Sequence, residues 1–464
     1  MRSRSAAIAI VLLLLTTACG ARLTGAQKQA GIDTLGASGS SSTTDGGSGP
    51  AAGPSAGPTA GGPGGPVAGP NGPGGPGPAA SVPPGGNGGA TDTGVTANEI
   101  TITTASDISG VQAGLFKSTH QAMQAFTTMI NYQGGLYGRR IKWIPVDTKA
   151  DTVANQAAVR EACGSSFALV GSMSAFDNGG ASTGERCGIP DLTAIPVNPA
   201  RQEASNVYAA NPLSPHRFAI GQGKWIANTY GKGVIEKAAM LYLNAGVTKV
   251  NAQQRMKAYE TVGFKWTYVQ EVQVLEANYS PFVQKMKEKG IKYVNMVANY
   301  QAIQKLLNAM EQNEYYPQVR DWDSVAYSPN FLTVGKPAEG SLVFLTTAIS
   351  EEMSSNPEMQ LYAQWLSRVA PGAKPDYFGF YAWSAGRLFV KVHEMVGAKI
   401  TRKKFFEEIK KVHSWNGNGL HATHDIGNRI MSPCFLYVEI RGNKFVRKSP
   451  SSGFNCTEGG IIRT

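Results

Sequence analysis

The chain of 464 residues carries five cysteines and six histidines, the side chains most often enlisted for nucleophilic or metal chemistry. Cys19 stands alone, at the end of LLLLTTAC (12–19). The other four, Cys163, Cys187, Cys434 and Cys456, form an even set, as expected for two disulfides in an exported protein. Three connectivities are open. Cys163 with Cys187 and Cys434 with Cys456 is the expected one, because each pair closes a local loop of about two dozen residues, worth about 3 kcal/mol by chain entropy. A zinc site is the rival, but no CxxC spacing supports it. Oxidised thiols leave no cysteine nucleophile. The part expected to fold also lacks an HExxH helix. His421 and His424 form HATH, an i, i+3 pair, but Gly417, Gly419 and Gly427 around it mark a loop rather than a helix. Neither an enzyme nor a metal or cofactor site is therefore expected.

Cys19 has a different chemistry in view. Arg2 and Arg4 precede an apolar stretch over residues 6–15, and Thr16-Thr17-Ala18 lead into the cysteine. That is the layout of an export signal, and its apolar run is too short to span a bilayer. TTAC resembles a lipoprotein processing site, with Thr where Leu is more usual. Processing there would make Cys19 the new N-terminus, its sulfur bearing a diacylglycerol. Two or more acyl chains give stable anchoring. The expectation is thus a leader over 1–19 and a protein tied to the outer face of a membrane without spanning it.

No aromatic residue falls between Cys19 and Phe116. Residues 20–93 are dominated by Gly, Pro, Ser, Ala and Thr, as in GGPGGPVAGPNGPGGPGPAA, and have too little to bury for a core. They read as a disordered tether with a reach of roughly 50 Å. The formal net charge of +11 sits almost wholly in the remainder. Its basic pairs, Arg139-Arg140, Lys403-Lys404 and Lys410-Lys411, make no stripe with interleaved aromatics, which argues against nucleic acid as a partner.

The elements that must position any site lie in 94–464, long enough for two cores. EITITT (99–104) reads as a strand and HQAMQAFTTMIN (120–131) as a helix with Met123, Phe126, Met129 and Ile130 on one face. RIKWIPV (140–146) is a strand whose Pro145 favours an edge, and FALVG (167–171) is a buried one. The rhythm repeats: AAMLYL (238–243), a helix over 249–263, KWTYVQEVQV (265–274), a helix over 281–290, KYVNMVA (292–298), a helix over 301–313 and SLVFLTTA (341–348). Two such series predict an α/β fold of two doubly wound parallel-sheet lobes. Ligands of such sheets bind beyond the carboxyl ends of the strands, so the cleft between lobes is the expected site.

GVTANEITITTASDISG (94–110) followed by NYQGGLYGRRIKWIPVDTKAD (131–151) resembles the start of type I periplasmic binding proteins, in the leucine/isoleucine/valine-binding branch of ABC-transporter solute receptors. FALVGSMSAFDNGG (167–180), PDYFGFYAWSAGRLF (375–389) and CFLYVEI (434–440) continue it. The resemblance implies three crossover segments, placed near 210–216, 346–350 and 425–433. Lobe 1 would then hold 94–213 and 349–427, and lobe 2 214–348 and 428–464, with one disulfide in each. It also implies a monomer that binds a small solute and serves an ABC permease and its ATPase.

Residues just after strands are the candidates. Ser109 follows the first, beside Ser106 and Asp107, where turn chemistry would equally explain Asp and Ser. Ser174 and Phe176 follow FALVG, in a loop that offers hydroxyls and N–H groups to a ligand carboxylate in the resembled family. Asn198 follows the next strand. In the second lobe the candidates are Asn244, Asn299, Tyr300 and Tyr327, the last in DWDSVAYSPN with Asp323 and Ser324. Tyr381, with Tyr377, either borders the cleft or packs in the core. Amino-acid-binding members hold the ligand ammonium with an acidic residue whose closest match here is Ala326 or Tyr327. An amide or an aromatic acid therefore fits as well as an amino acid. A ligand-sensing or wall-associated lipoprotein without transport is the alternative reading.

Overall fold

The computed structural model describes residues 81–463 except Gln112. The leader, Cys19 and the tether up to residue 80 lie outside the described residues. Residues 87–92, assigned by composition to the tether, are fastened to the first lobe. The buried Arg139 guanidinium donates to the carbonyls of Asn87, Gly89, Thr96 and Ala398 at 2.6–2.9 Å. Arg402 N donates to Asp92, and Thr91 to Ile400 O. Arg139, with these two bonds, thus holds a stretch whose one apolar side chain, Ala90, is exposed.

The first sheet has four parallel strands: β1 (Glu99–Ser106), β2 (Arg140–Asp147), β3 (Ala168–Val170) and β4 (Asp191–Leu192), in the order β2-β1-β3-β4. Pro145 sits in β2, an edge strand, where its missing N–H costs no ladder bond. Helices α1 (Lys117–Tyr132), α2 (Thr152–Ser165) and α3 (Asn178–Cys187) connect the strands. In α1 the buried stripe includes Met123, Phe126, Met129 and Ile130, the spacing of one helix face. α2 starts where the Asp151 side chain accepts from Ala154 N.

The second sheet has seven strands in the order β12-β11-β10-β9-β8-β6-β7. β6 (Ala238–Leu243), β7 (Trp266–Val272), β8 (Tyr293–Val297), β9 (Val319–Trp322) and β10 (Leu342–Leu345) are parallel, while β11 (Leu436–Arg441) and β12 (Lys444–Ser449) run antiparallel at one edge. Every residue of β6 and β8 is buried, as expected for strands covered on both faces. Helices α4 (Gly221–Tyr230), α5 (Thr248–Glu260), α6 (Ser280–Glu288) and α7 (Tyr300–Gln312) belong to this lobe. β5 (Arg217–Ala219) pairs with β13 (Ile461–Arg463).

The chain then returns. Helices α8 (Pro357–Val369) and α9 (Tyr377–Val396) pack on α1, and α10 (Arg402–Ile409) packs on α9. Trp383 meets Phe126 edge-on at 5.5 Å. Gly386 permits the approach, since a Cβ there would lie 2.7 Å from the Phe126 ring. Three passages between the sheets result: β4 to β6, β10 to α8, and α10 to β11. Cys163–Cys187 joins the ends of α2 and α3, with Cα atoms 6.0 Å apart, and Cys434–Cys456 ties the start of the last passage's strand to the C-terminal segment, at 4.3 Å. Among the described residues no helix is long and apolar enough to cross a membrane.

Candidate ligand-binding cleft

The loops after the strands are fixed by buried carboxylates. Asp107 follows β1. It accepts from Thr148 Oγ1 (2.5 Å), Ser174 Oγ (2.8 Å), Ala175 N (2.8 Å) and Ala150 N (3.2 Å). Burial pushes its pKa up against these four bonds, which favour the ionised form. Asp177 accepts from Val197 N (2.7 Å), Asn198 N (2.9 Å) and Asn198 Nδ2 (2.7 Å), and burial raises it to about 6 although Arg201 pulls it down. Arg201 pairs with Asp191 at 2.5 Å inside the lobe.

The second lobe has its own charged cluster. Arg255 on α5 donates from Nη1 to Asn295 Oδ1 (3.0 Å) and to Asp323 Oδ1, and its guanidinium lies over the Phe344 ring at 5.2 Å. Burial by itself would lower the Arg255 pKa; Asp323 beside it more than reverses that. Asp321 lies behind, accepting from Tyr293 OH (2.7 Å) and Tyr437 OH (3.3 Å). Its other oxygen, Oδ1, is buried without a partner, and burial pushes its pKa up to about 7.

Between the two sheets lies a cavity of about 280 Å³. Phe116, Met173, Ala175, Ile195 and Val197 form its wall in the first lobe. Val247, Val297, Ala298, Val325 and Phe344 form the opposite wall. Asn211, Leu213, Thr346 and Met431 contribute from the three passages. Tyr377, at the start of α9, accepts from Asn211 Nδ2 (3.4 Å) and is 3.1 Å from Thr346 Oγ1. Arg217, Gln222, Asn251, Arg255 and Asp323 supply polar groups. A second cavity of similar size shares Leu115, Val325 and Phe378 with the first, so the two adjoin.

Of the residues singled out in the sequence, Asn299 lines the main cavity, while its Oδ1 caps α7 by accepting from Ala302 N. Tyr300 and Tyr327 line the second cavity, and the Tyr327 hydroxyl donates to Glu351 at 2.6 Å. Ser174 is buried on Asp107. Asn198 is held on Ala175 O and Asp177. Ser109 is exposed and donates to Asp147 at 2.5 Å; these bonds, with those from backbone N–H groups, outweigh burial and hold that carboxyl at about 2. Phe176 packs against the core, and Asn244 is exposed at the end of β6. Tyr381 is fully buried, 2.7 Å from Thr346 Oγ1, and stacks on His421 at 4.9 Å. His421 and His424 are buried and both are engaged, His421 with Ser384 Oγ and Ala422 O, His424 with Ser432 N. Burial lowers His421 to about 4, so the ring is neutral at pH 7.

Arg217, Gln222, Asn251 and Arg255 were not among the candidates. The signal for Arg255 lay in its spacing: it shares a helix stripe with the buried Ala252 and Tyr259. A cation on a buried stripe marks a designed environment. Arg217 sits in a three-residue strand that has no periodicity to read.

Comparisons with known proteins agree with this architecture. The model of the periplasmic binding protein family matches residues 99–444, and the chain belongs to that family. No curated protein sequence matches it. Among solved structures, a fatty acid ABC transporter substrate-binding protein from Thermomonospora curvata aligns at TM-score 0.65 and 16% identity, over 77% of this chain and 92% of that one. An R. palustris ABC-transporter solute-binding protein in complex with 4-hydroxybenzoate gives 0.64 and 16%, over 76% and 96%. LivJ from Streptococcus pneumoniae, a branched-chain amino acid transporter substrate-binding protein in complex with isoleucine, gives 0.62 and 13%, over 76% and 100%. At these identities the likeness is one of fold.

Proposed function

We propose that the chain is an extracytoplasmic solute receptor of an ABC importer, anchored by lipid at Cys19, that binds a small organic solute between its lobes. The observation that carries this reading is the cavity itself: strand-end loops of both lobes and all three passages meet around it. A solute that touches both walls favours the arrangement in which both are close, and a permease with its ATPase reads that arrangement. The lobes divide near 213, 348 and 427. The receptor acts as a monomer and does no chemistry on its solute. The names of similar folds, one fatty acid binder, one 4-hydroxybenzoate complex and one isoleucine complex, support a small organic ligand: an amino acid, an amide or an aromatic acid.

The test is mass spectrometry of the full chain purified from its own host, with extraction of whatever is bound. Ala298→Trp, which fills the cavity, should abolish the bound molecule while circular dichroism stays native. Retention of the same molecule at full occupancy would place the site elsewhere. Cys19→Ser should release the protein from membranes; persistent membrane retention would refute the anchor.

A further inference from the structure

Building on the cleft reading, we infer that the solute is an apolar monocarboxylate without an ammonium group, its anionic head held at Arg217. The main cavity is lined by three charged side chains: Arg217, Arg255 and Asp323. Asp323 is committed to Arg255. The second cavity is lined by Lys117, Lys374 and Asp376, and Asp376 is committed to capping α9, where Gly379 N donates to it at 2.8 Å. Each carboxylate lining either cavity already has a partner within the chain, among the described residues. An ammonium buried there without a partner would forfeit its hydration with no return.

Cations, by contrast, are in surplus. Arg217 makes no ion pair and no side-chain hydrogen bond among the described residues, and neither does Asn251. Gln222 lines the same cavity with only 6% of its surface exposed, its amide unbonded and its Oε1 buried without a partner. A carboxylate can complete the Nε2–H donors of this amide, whereas its Oε1, an acceptor, needs a donor from water or another ligand group. Arg217, Gln222 and Asn251 together supply the charge and the N–H donors that a carboxylate takes.

The opposite lobe offers no competing seat. Its strand-end N–H groups at Ala175, Val197 and Asn198 already donate to the chain's own Asp107 and Asp177. What that lobe presents is mainly hydrocarbon, Phe116, Met173, Ile195 and Val197, with Gln202 as its polar group. Those apolar side chains, with Val247, Val297, Ala298 and Phe344 across from them, give an apolar body walls to lie against.

The test uses the full chain carrying Cys19→Ser, unfolded and refolded to strip bound solute, titrated calorimetrically with decanoate, decan-1-ol and leucine. Decanoate should bind about tenfold or more tighter than decan-1-ol, the margin of a charge-assisted contact, and tighter than leucine. Arg217→Gln should erase the preference of decanoate over decan-1-ol, and Lys374→Gln should preserve it. Leucine outcompeting decanoate, or an unchanged preference in the Arg217 variant, overturns the inference. If leucine or the alcohol wins and Ala298→Trp blocks it, the receptor reading stands while the ligand class fails. If none of the three binds to natively refolded chain, the ligand class fails, and the receptor reading is decided by the bound molecule that mass spectrometry identifies.

Discussion

Asp321→Asn should change how stability depends on pH, with a sign and size set by the geometry. Asp321 Oδ2 accepts from Tyr293 and Tyr437, while Oδ1 is buried with no partner. Burial lifts the carboxyl from an ordinary value of 3.8 to about 7. Between those two values the folded chain holds a proton that the unfolded chain has released. The stabilisation this gives is present at low pH and is lost as pH rises through about 7. The whole shift corresponds to roughly 4 kcal/mol, of which about 3 kcal/mol is lost between about pH 5 and pH 9. Asparagine keeps the shape and accepts from both tyrosines, but has no proton to lose. Urea unfolding of both proteins at the two pH values isolates the effect, because every other titrating group cancels in the difference. The variant should gain on the parent by about 3 kcal/mol between low and high pH. A difference that does not change with pH would refute a neutral, buried Asp321.

Gly386→Ala should destabilise by about 1–3 kcal/mol in urea unfolding, because the added methyl meets the fully buried Phe126 ring at 2.7 Å and overpacking outweighs roughly 1 kcal/mol of helix propensity. Replacing both Cys163 and Cys187 with serine should cost about 3 kcal/mol by opening a loop of 24-residue separation, read as a lower denaturation midpoint. Arg139→Ala should free residues 87–92, because four carbonyls lose their donor, and limited proteolysis should then cut ahead of Glu99 where the parent resists.

Much of the fold was legible because it rests on local pattern. The α1 stripe, the Pro145 edge strand and the continuous apolar runs of β6 and β8 all carry their burial in their spacing. β4 forms only two residues, because its flanking backbone bonds instead to neighbouring loops, as Ala194 N does to Ser172 O. The site was much less legible. Ser174 and Asn198 have the right residue types at the right strand ends, yet each is claimed by a buried aspartate that no sequence spacing predicts. Asp107 and Asp177 meet their partners across 41 to 68 and 20 to 21 residues of chain, so only the folded structure reveals that the donors are already taken. Arg217 and Gln222 are remote in character from any motif, and their meaning comes from the empty space beside them.

Perturbed carboxylates crowd the strand ends here, and in many proteins that pattern marks catalysis. Here the partners tie these carboxylates to the frame of each lobe. Asp107 and Asp177 are each closed in by donors from a neighbouring loop, and Asp321 by two tyrosine hydroxyls; none of the three lines the cavity. Their shifts arise from burial in the frame, and what they accomplish is to lock the strand-end loops of each lobe into one shape. The passages between the lobes are held differently. Tyr377 and Tyr381 meet Thr346 by single hydroxyl contacts, and Asn211 reaches Tyr377 at 3.4 Å. The passages also carry backbone bonds, Ala348 N to Leu420 O and Ala422 N to Thr346 O, and the Arg447–Glu352 ion pair, so a change of lobe angle rearranges charged as well as neutral contacts. A solute that touches both walls biases that angle by the contacts it makes only when the walls are close.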